Sequence, residues 1–133
     1  MNALIGYSGD NGHDDRDGKS WADGQKWRQY IKQADFRAPA NTWVTVDEQA
    51  DSINDGFFVV DLNAGAWGDI PASYHGGACG FSFADGHAEI HKWKSATSLY
   101  PVKYYFYKIN WDAAGRLDYQ WYYDRTGYLL YRL

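Results

Sequence analysis

The chain has 133 residues, a formal charge of −4 and one cysteine, Cys79. That length suits a single domain, residues 1–133, that buries a core without disulfide staples. Its Lys and Arg are scattered rather than gathered into the basic stripe of a sequence-independent nucleic-acid binder, and it contains no run of 18 apolar residues of the kind that crosses a bilayer.

Aromatics make up 19% of the chain, including 12 Tyr and 7 Trp, which favours half-buried pleated surfaces. In chain order, Met1 to Tyr7 reads as a short apolar strand. The opening MNALIGYSGDNGHDD has neither a basic n-region nor an apolar h-region, so it does not read as a signal peptide. GDNGHDDRDGKS follows as a polar loop. Its Asp spacing approaches a calcium loop, but His13 falls at the first ligand position and Gly24 at the twelfth, where a bidentate Glu belongs. A solvated loop is the preferred reading. Trp27 to Gln33 fits either a strand or a short helix. RAPAN turns the chain, and TWVTVDE alternates as a strand with Trp43 and Thr45 on one face, Val44 and Val46 on the other. QADSINDG is a polar connection. FFVVDL is a continuous apolar run suited to a central strand covered on both faces, and NAGAWGDIPAS is a loop punctuated by Gly and Pro.

The stretch YHGGACGFSFADGHAEIHKW holds the strongest local signal. Asp85-Gly86 predicts a two-residue type I′ hairpin turn. Register follows from that turn: Ala84 faces His87, Phe83 faces Ala88, Ser82 faces Glu89 and Phe81 faces Ile90. Phe81, Phe83, Ala88 and Ile90 then share the core face, and Ser82, His87, Glu89 and His91 share the polar one. Downstream, Lys94 to Tyr100 leads out, VKYYFYKINW reads as an aromatic strand, and DAAGRLDYQWYYDRT reads as a helix. Asp112 is its N-cap, Leu117 and Trp121 pair at i,i+4, and Gly127 is its stop.

Several clusters carry candidate chemistry. His75 and Asp85 flank the first hairpin strand, and six extended residues span roughly 20 Å, so they cannot form a dyad. Turn roles account for both: His75 pins the Gly76-Gly77 entry turn, and Asp85-Gly86 makes the exit turn. His87, Glu89 and His91 project from one strand face at alternate positions and are candidate zinc ligands, against the simpler reading of a solvated polar strip. Asp47, Glu48, Asp51 and Asp55 are candidate calcium ligands, although Ile53 interrupts the ligand spacing, and turn capping is the alternative. Cys79, on a strand among apolar neighbours, is expected to be buried and inert. Tyr104, Tyr105, Tyr107, Trp111, Tyr119, Trp121, Tyr122 and Tyr123 supply rings that either stack on sugars or pack the core.

His75, nine residues, then Asp85-Gly86 resembles the C-terminal signature of bacterial pseudopilins, the prepilin-type proteins related to type II secretion. WVTVDEQADSINDGFF, ADGHAEIHKW and MNALIGY are similar to that family too, so the resemblance covers Met1 to about Trp93 and, more loosely, DAAGRLDYQW. It implies a small α+β, pilin-like head with an antiparallel sheet, a central Asp-Gly hairpin and a short C-terminal helix. It also implies a structural, non-catalytic subunit of a type IV pilus-like or secretion assembly in the cell envelope or outside it. Family members carry a peptidase motif and an apolar N-terminal helix ahead of the head, and neither is present in this sequence. Membrane attachment would come only through that missing helix. Partners implied are other pilin-like subunits, or a second copy against the sheet face the helix would cover. No cofactor is implied beyond the structural calcium that some family heads hold. The readings that stand beside it are a metal-dependent enzyme built on His87, Glu89 and His91, and a carbohydrate-binding β domain built on the tail aromatics.

Overall fold

The computed structural model describes residues 1–6, 18–20, 26–59 and 65–130. It shows a small α+β fold: β1 (Trp43–Val46), β2 (Ala78–Phe83) and β3 (Ala88–Lys92) form an antiparallel sheet in the order β1-β2-β3, and α1 (Ala113–Tyr123) follows near the C-terminus. Single turns of 3₁₀ helix at Gln33–Asp35, Pro39–Asn41, Ala50–Ser52 and Ala96–Ser98 connect these elements. Among the described residues, no helix is long and apolar enough to cross a membrane.

The hairpin forms, but one residue out of the expected register. Phe81 pairs with Glu89 and Ser82 with Ala88. The turn is the cause. Phe83 N–H donates to His87 O and Gly86 N–H donates to Phe83 O, so the loop is Ala84-Asp85-Gly86. Only Gly86 takes a positive φ, +96°. A type I turn closed by a left-handed glycine makes a three-residue loop, whereas a type I′ turn needs positive φ at both centres. A one-residue slip exchanges the faces of the second strand. His87, Glu89 and His91 therefore lie on the side of Phe81 and Phe83, while Ala88 and Ile90 lie on the outer side with Ser82. Ile90, expected in the core, is 72% exposed.

β1 departs from simple alternation for a related reason. Trp43 pairs with Phe83, Thr45 with Ser82 and Val46 with Phe81, with a bulge at Val44. The extra residue puts Trp43 and Val46 on the core side. Thr45 goes to the outer face, where its hydroxyl meets that of Ser82. The bulged Val44 carbonyl accepts from Asn2 N–H.

Among the described residues, four other segments with strand-like composition form no strand. Asn2 and Ile5 make isolated parallel bridges to Phe58 and Tyr30 across a turn, and Tyr7 lies outside the described residues. Trp27 and Arg28 make single antiparallel bridges to Leu129 and Lys19. Of FFVVDL, Phe57–Val59 joins no sheet beyond the Asn2–Phe58 bridge, and residues 60–62 lie outside the described part. The VKYYFYKINW stretch is irregular. Period alone cannot tell an apolar strand from a buried irregular segment whose backbone is satisfied elsewhere. Here Asn2, fully buried, does that satisfying: its Nδ2 donates to Trp43 O and Thr126 O, and its Oδ1 accepts from Leu4 N–H.

The inner face of the sheet packs on a largely aromatic core. Trp43 meets Phe58, Phe81 and Tyr122, and Trp67 meets Trp93, Trp111, Tyr119 and Tyr122. Truncating one such buried ring costs about 3–5 kcal/mol. A second cluster gathers Leu4, Trp27 and Tyr30. Gly127, expected as the stop for α1, sits beyond the Asp124–Thr126 turn. A Cβ there would lie 2.6 Å from Leu4 Cδ1, so glycine is required for space.

α1 starts as the sequence predicts, with the Asp112 carboxylate accepting from Gly115 N–H. Its inward face differs. Gly115, Asp118 and Tyr122 are buried, and Leu117 is 64% exposed. The buried Asp118 carboxylate accepts from Lys94 N–H and Ser95 N–H, which locks the exit of β3 to the helix.

Candidate functional site

His75 and Asp85 sit beyond opposite ends of β2 and serve different partners. His75 precedes Gly76 and Gly77, whose φ of +63° and +83° lie in the left-handed region that glycine adopts most readily. Gly77 N–H donates to Ser73 O, and His75 N–H reaches Ala78 O. The His75 ring faces Asp47, 3.6 Å from Nε2 to Oδ2, with both side chains more than half exposed. Contacts of that length in water stabilise little. Asp47 lies across Gly80, where a Cβ would come within 2.9 Å of its Oδ2, so Gly80 leaves room for the carboxylate.

At the other end, Asp85 Oδ1 accepts from His87 N–H and pairs with His87 Nδ1. The imidazole hydrogen bond, aided by the backbone one, lowers the Asp85 pKa, and the same side-chain bond raises that of His87. His87 also stacks flat on Phe83 and approaches Glu89. His91 instead stacks on Trp121, 3.6 Å between ring centres. Burial there lowers its pKa, and its Nε2 has no hydrogen-bond partner. The three predicted zinc candidates thus share a face, as expected, but it is the core side of the sheet.

The four calcium candidates point to separate tasks. Asp47 faces His75; Glu48 Oε1 accepts from Ser52 Oγ; Asp55 Oδ1 accepts from Phe57 N–H; Asp51 accepts from Lys103 N–H and Tyr104 N–H. Burial, with Asp69 nearby, raises the Glu48 pKa. Among the described residues, no three His, Cys, Asp or Glu side chains are grouped so as to hold a metal ion. The calcium-like spacing from His13 to Gly24 falls almost wholly outside the described residues. Cys79 is buried on β2, and burial, followed by the Asp47 charge, pushes its thiol up to about 12. At neutral pH it is a thiol, not a nucleophilic thiolate.

The tail aromatics divide. Tyr122 is fully buried, while Trp111 stacks on Tyr119 and Trp121 on His91. Val102, Tyr104, Tyr105 and Phe106 stand exposed on one loop, Tyr104 at 93%. Tyr104 takes φ +64°, a left-handed conformation costly for a residue with a side chain. Asp51 holds it there through the two backbone N–H groups, and those bonds, the Lys103 one first, lower the Asp51 pKa. Sequence reading missed this clamp because the partners lie 52 and 53 residues apart.

Two further surfaces lie open among the described residues. A groove of about 750 Å³ runs past Ile5, Tyr30, Phe36, Pro39, Val44 and Asp85. The outer face of the sheet is a shallow depression of about 480 Å³ over Thr45, Asp47, Gly80, Ser82, Ala88 and Ile90. No family model, curated protein or solved structure matches the chain.

Proposed function

We propose that this chain is a non-catalytic structural head of a pilin-like or type II secretion-like assembly. The use made of the signature residues carries the reading. His75 stands at the glycine turn that enters the hairpin, and Asp85 and Gly86 form the turn that reverses it. A signature of that kind preserves a shape rather than a reaction. The carboxylates Asp51, Asp112 and Asp118 are likewise engaged in holding backbone N–H groups. Under this reading the outer sheet face, floored by the small residues Gly80, Ser82 and Ala88, receives an apolar helix or a neighbouring subunit. Mass spectrometry of the protein isolated from its native cells tests it. An apolar segment joined ahead of Met1, with the protein recovered in envelope or sheared surface fractions, is the expected result. A native chain that begins at Met1 and stays with the cytosolic fraction would sink it.

The exposed loop favours a second reading, sugar binding, with Tyr104 and Tyr105 as the stacking platform in place of Trp111 and Trp121. Glycan-array binding lost in Tyr104→Ala and Tyr105→Ala would support it; an array with no signal would remove it.

A further inference from the structure

The two edges of the sheet are not equivalent. β1 is closed: Val44 O accepts from Asn2 N–H, and Trp43 N–H donates to Arg125 O. β3 is open. Phe83 N–H donates to His87 O, and Trp93 N–H donates to Gly77 O. Antiparallel ladders alternate, so the residues between them at positions 89 and 91 also turn their backbone groups toward β2. Ala88, Ile90 and Lys92 then point their N–H and C=O groups away from the sheet, without partners among the described residues. Edges of this kind are usually blunted by short length, proline, charged side chains, a bulge or a covering segment. β3 carries Glu89 and Lys92, but it has no proline, keeps an unbroken register over its whole length, and has exposed Ile90 at its middle.

We propose that β3 is a homodimerisation edge: two copies of the chain pair Ala88–Lys92 antiparallel about Ile90, joining two three-stranded sheets into one. Backbone geometry and charge together select the register. Outward backbone groups occur only at even positions, so pairing must match even with even. Centring on Ile90 lets Ile90 exchange both backbone bonds with its counterpart, and Ala88 exchange both with Lys92 at either end. It also sets Glu89 of one copy directly opposite His91 of the other, so that no like charges meet across the axis. Lys92 meets only Ala88. Shifting the centre to position 89 shortens the ladder and opposes Glu89 to Glu89, and like charges directly opposite are unfavourable. On the outer face the two Ile90 side chains cover each other. The contact uses the edge, leaving the outer sheet face of either copy available for a helix.

Analytical ultracentrifugation of the full chain over a concentration series tests this. The mass should rise from 15.2 kDa toward twice that value as concentration approaches about 1 mM. Ile90→Lys changes an exposed outer side chain and places like charges across the twofold axis, so it should weaken the dimer by about tenfold or more. Ile90→Pro removes a donor that the monomer does not use and should leave a folded monomer. In the concentrated wild type, the amides of Ala88, Ile90 and Lys92 should exchange about tenfold more slowly than in dilute solution. A wild type that stays monomeric, or edge amides unprotected at every concentration, overturns the proposal. So does a dimer that survives both substitutions, which would place association on the sheet face or the aromatic loop.

Discussion

Two loops in this protein are held by the same chemical device in different surroundings. The Lys94–Ser95 exit of β3 is held by Asp118, and the Lys103–Tyr104 loop is held by Asp51. Each carboxylate accepts from two successive backbone N–H groups contributed by a distant segment. Asp118 is 1% exposed and lies on the inward face of α1. Asp51 stands at the surface and supports a loop whose rings project into water. The difference lies in what fails when the acceptor is removed. Buried N–H groups left without a partner cost their full desolvation, whereas exposed ones turn to water. The first clamp belongs to the stability of the whole fold, the second to the shape of one surface.

Removing the buried acceptor should have the largest effect. Asp118→Ala should lower unfolding stability by about 3 kcal/mol, measured by urea denaturation. A loss no larger than that of an ordinary surface substitution would erase the distinction between the clamps. Gly115→Ala tests the packing beneath the same clamp, since a Cβ at that position would collide with Thr97 Oγ1. Overpacking there should cost about 1–3 kcal/mol, read from the same denaturation curves.

Asp51→Ala should leave the unfolding midpoint within about 2 °C of wild type while the amides of Lys103 and Tyr104 exchange about tenfold faster. A large global destabilisation would show that the aromatic loop is part of the core. Tyr104→Gly sharpens the point from the other side. It removes the left-handed strain and should raise stability by about 0.5–1 kcal/mol in thermal melts, and it discards the most exposed ring. Destabilisation would mean that the ring itself packs.

The smallest effects concern pH. The Asp51 pKa is lowered from 3.8, so its clamp is complete above about pH 4 and loosens as pH falls through the depressed value, which amide exchange at Tyr104 reports. The hairpin tip titrates at both ends. The raised His87 pKa gives stability that is full below 6.5 and is lost as pH rises through the higher folded value. The lowered Asp85 pKa gives stability that is lost as pH falls below 3.8. The tip should therefore be tightest between about pH 4 and 6.5. His91 acts in the opposite sense: its lowered pKa costs stability as pH falls below 6.5. His87→Gln should flatten the alkaline decline and His91→Gln the acidic one, in melting temperatures taken across that range.

Short-range chemistry was legible in the sequence. Asp112 is the N-cap it was expected to be, Asp85-Gly86 turns the hairpin, Gly76 and Gly77 take positive φ, and Cys79 is buried. All but the last depend on neighbours within a few residues; the burial of Cys79 was legible from its apolar strand neighbours but is achieved by the distant core. The faces of β1 and β3 were not legible, because each turned on a single-residue choice. Val44 could stay in line or bulge, and Asp85 could take positive or negative φ. Both alternatives satisfy the same local pattern, and the aromatic core chose between them. The aromatic stretch at 102–111 and the apolar run at 57–59 carry strand composition but no strand, because their backbone groups meet Asp51, Gly65 O and Met1 O instead of a neighbouring strand.

The sequence by itself determined where this chain turns, where its helix begins and that its core is aromatic, since those follow from local sterics and side-chain chemistry. Only the tertiary structure decided which strand faces look inward, which carboxylates hold which loops, and that among the described residues the outer edge of β3 has no backbone partner. Those outcomes depend on contacts between residues tens of positions apart, where a shift of one residue reverses what is buried and what meets water.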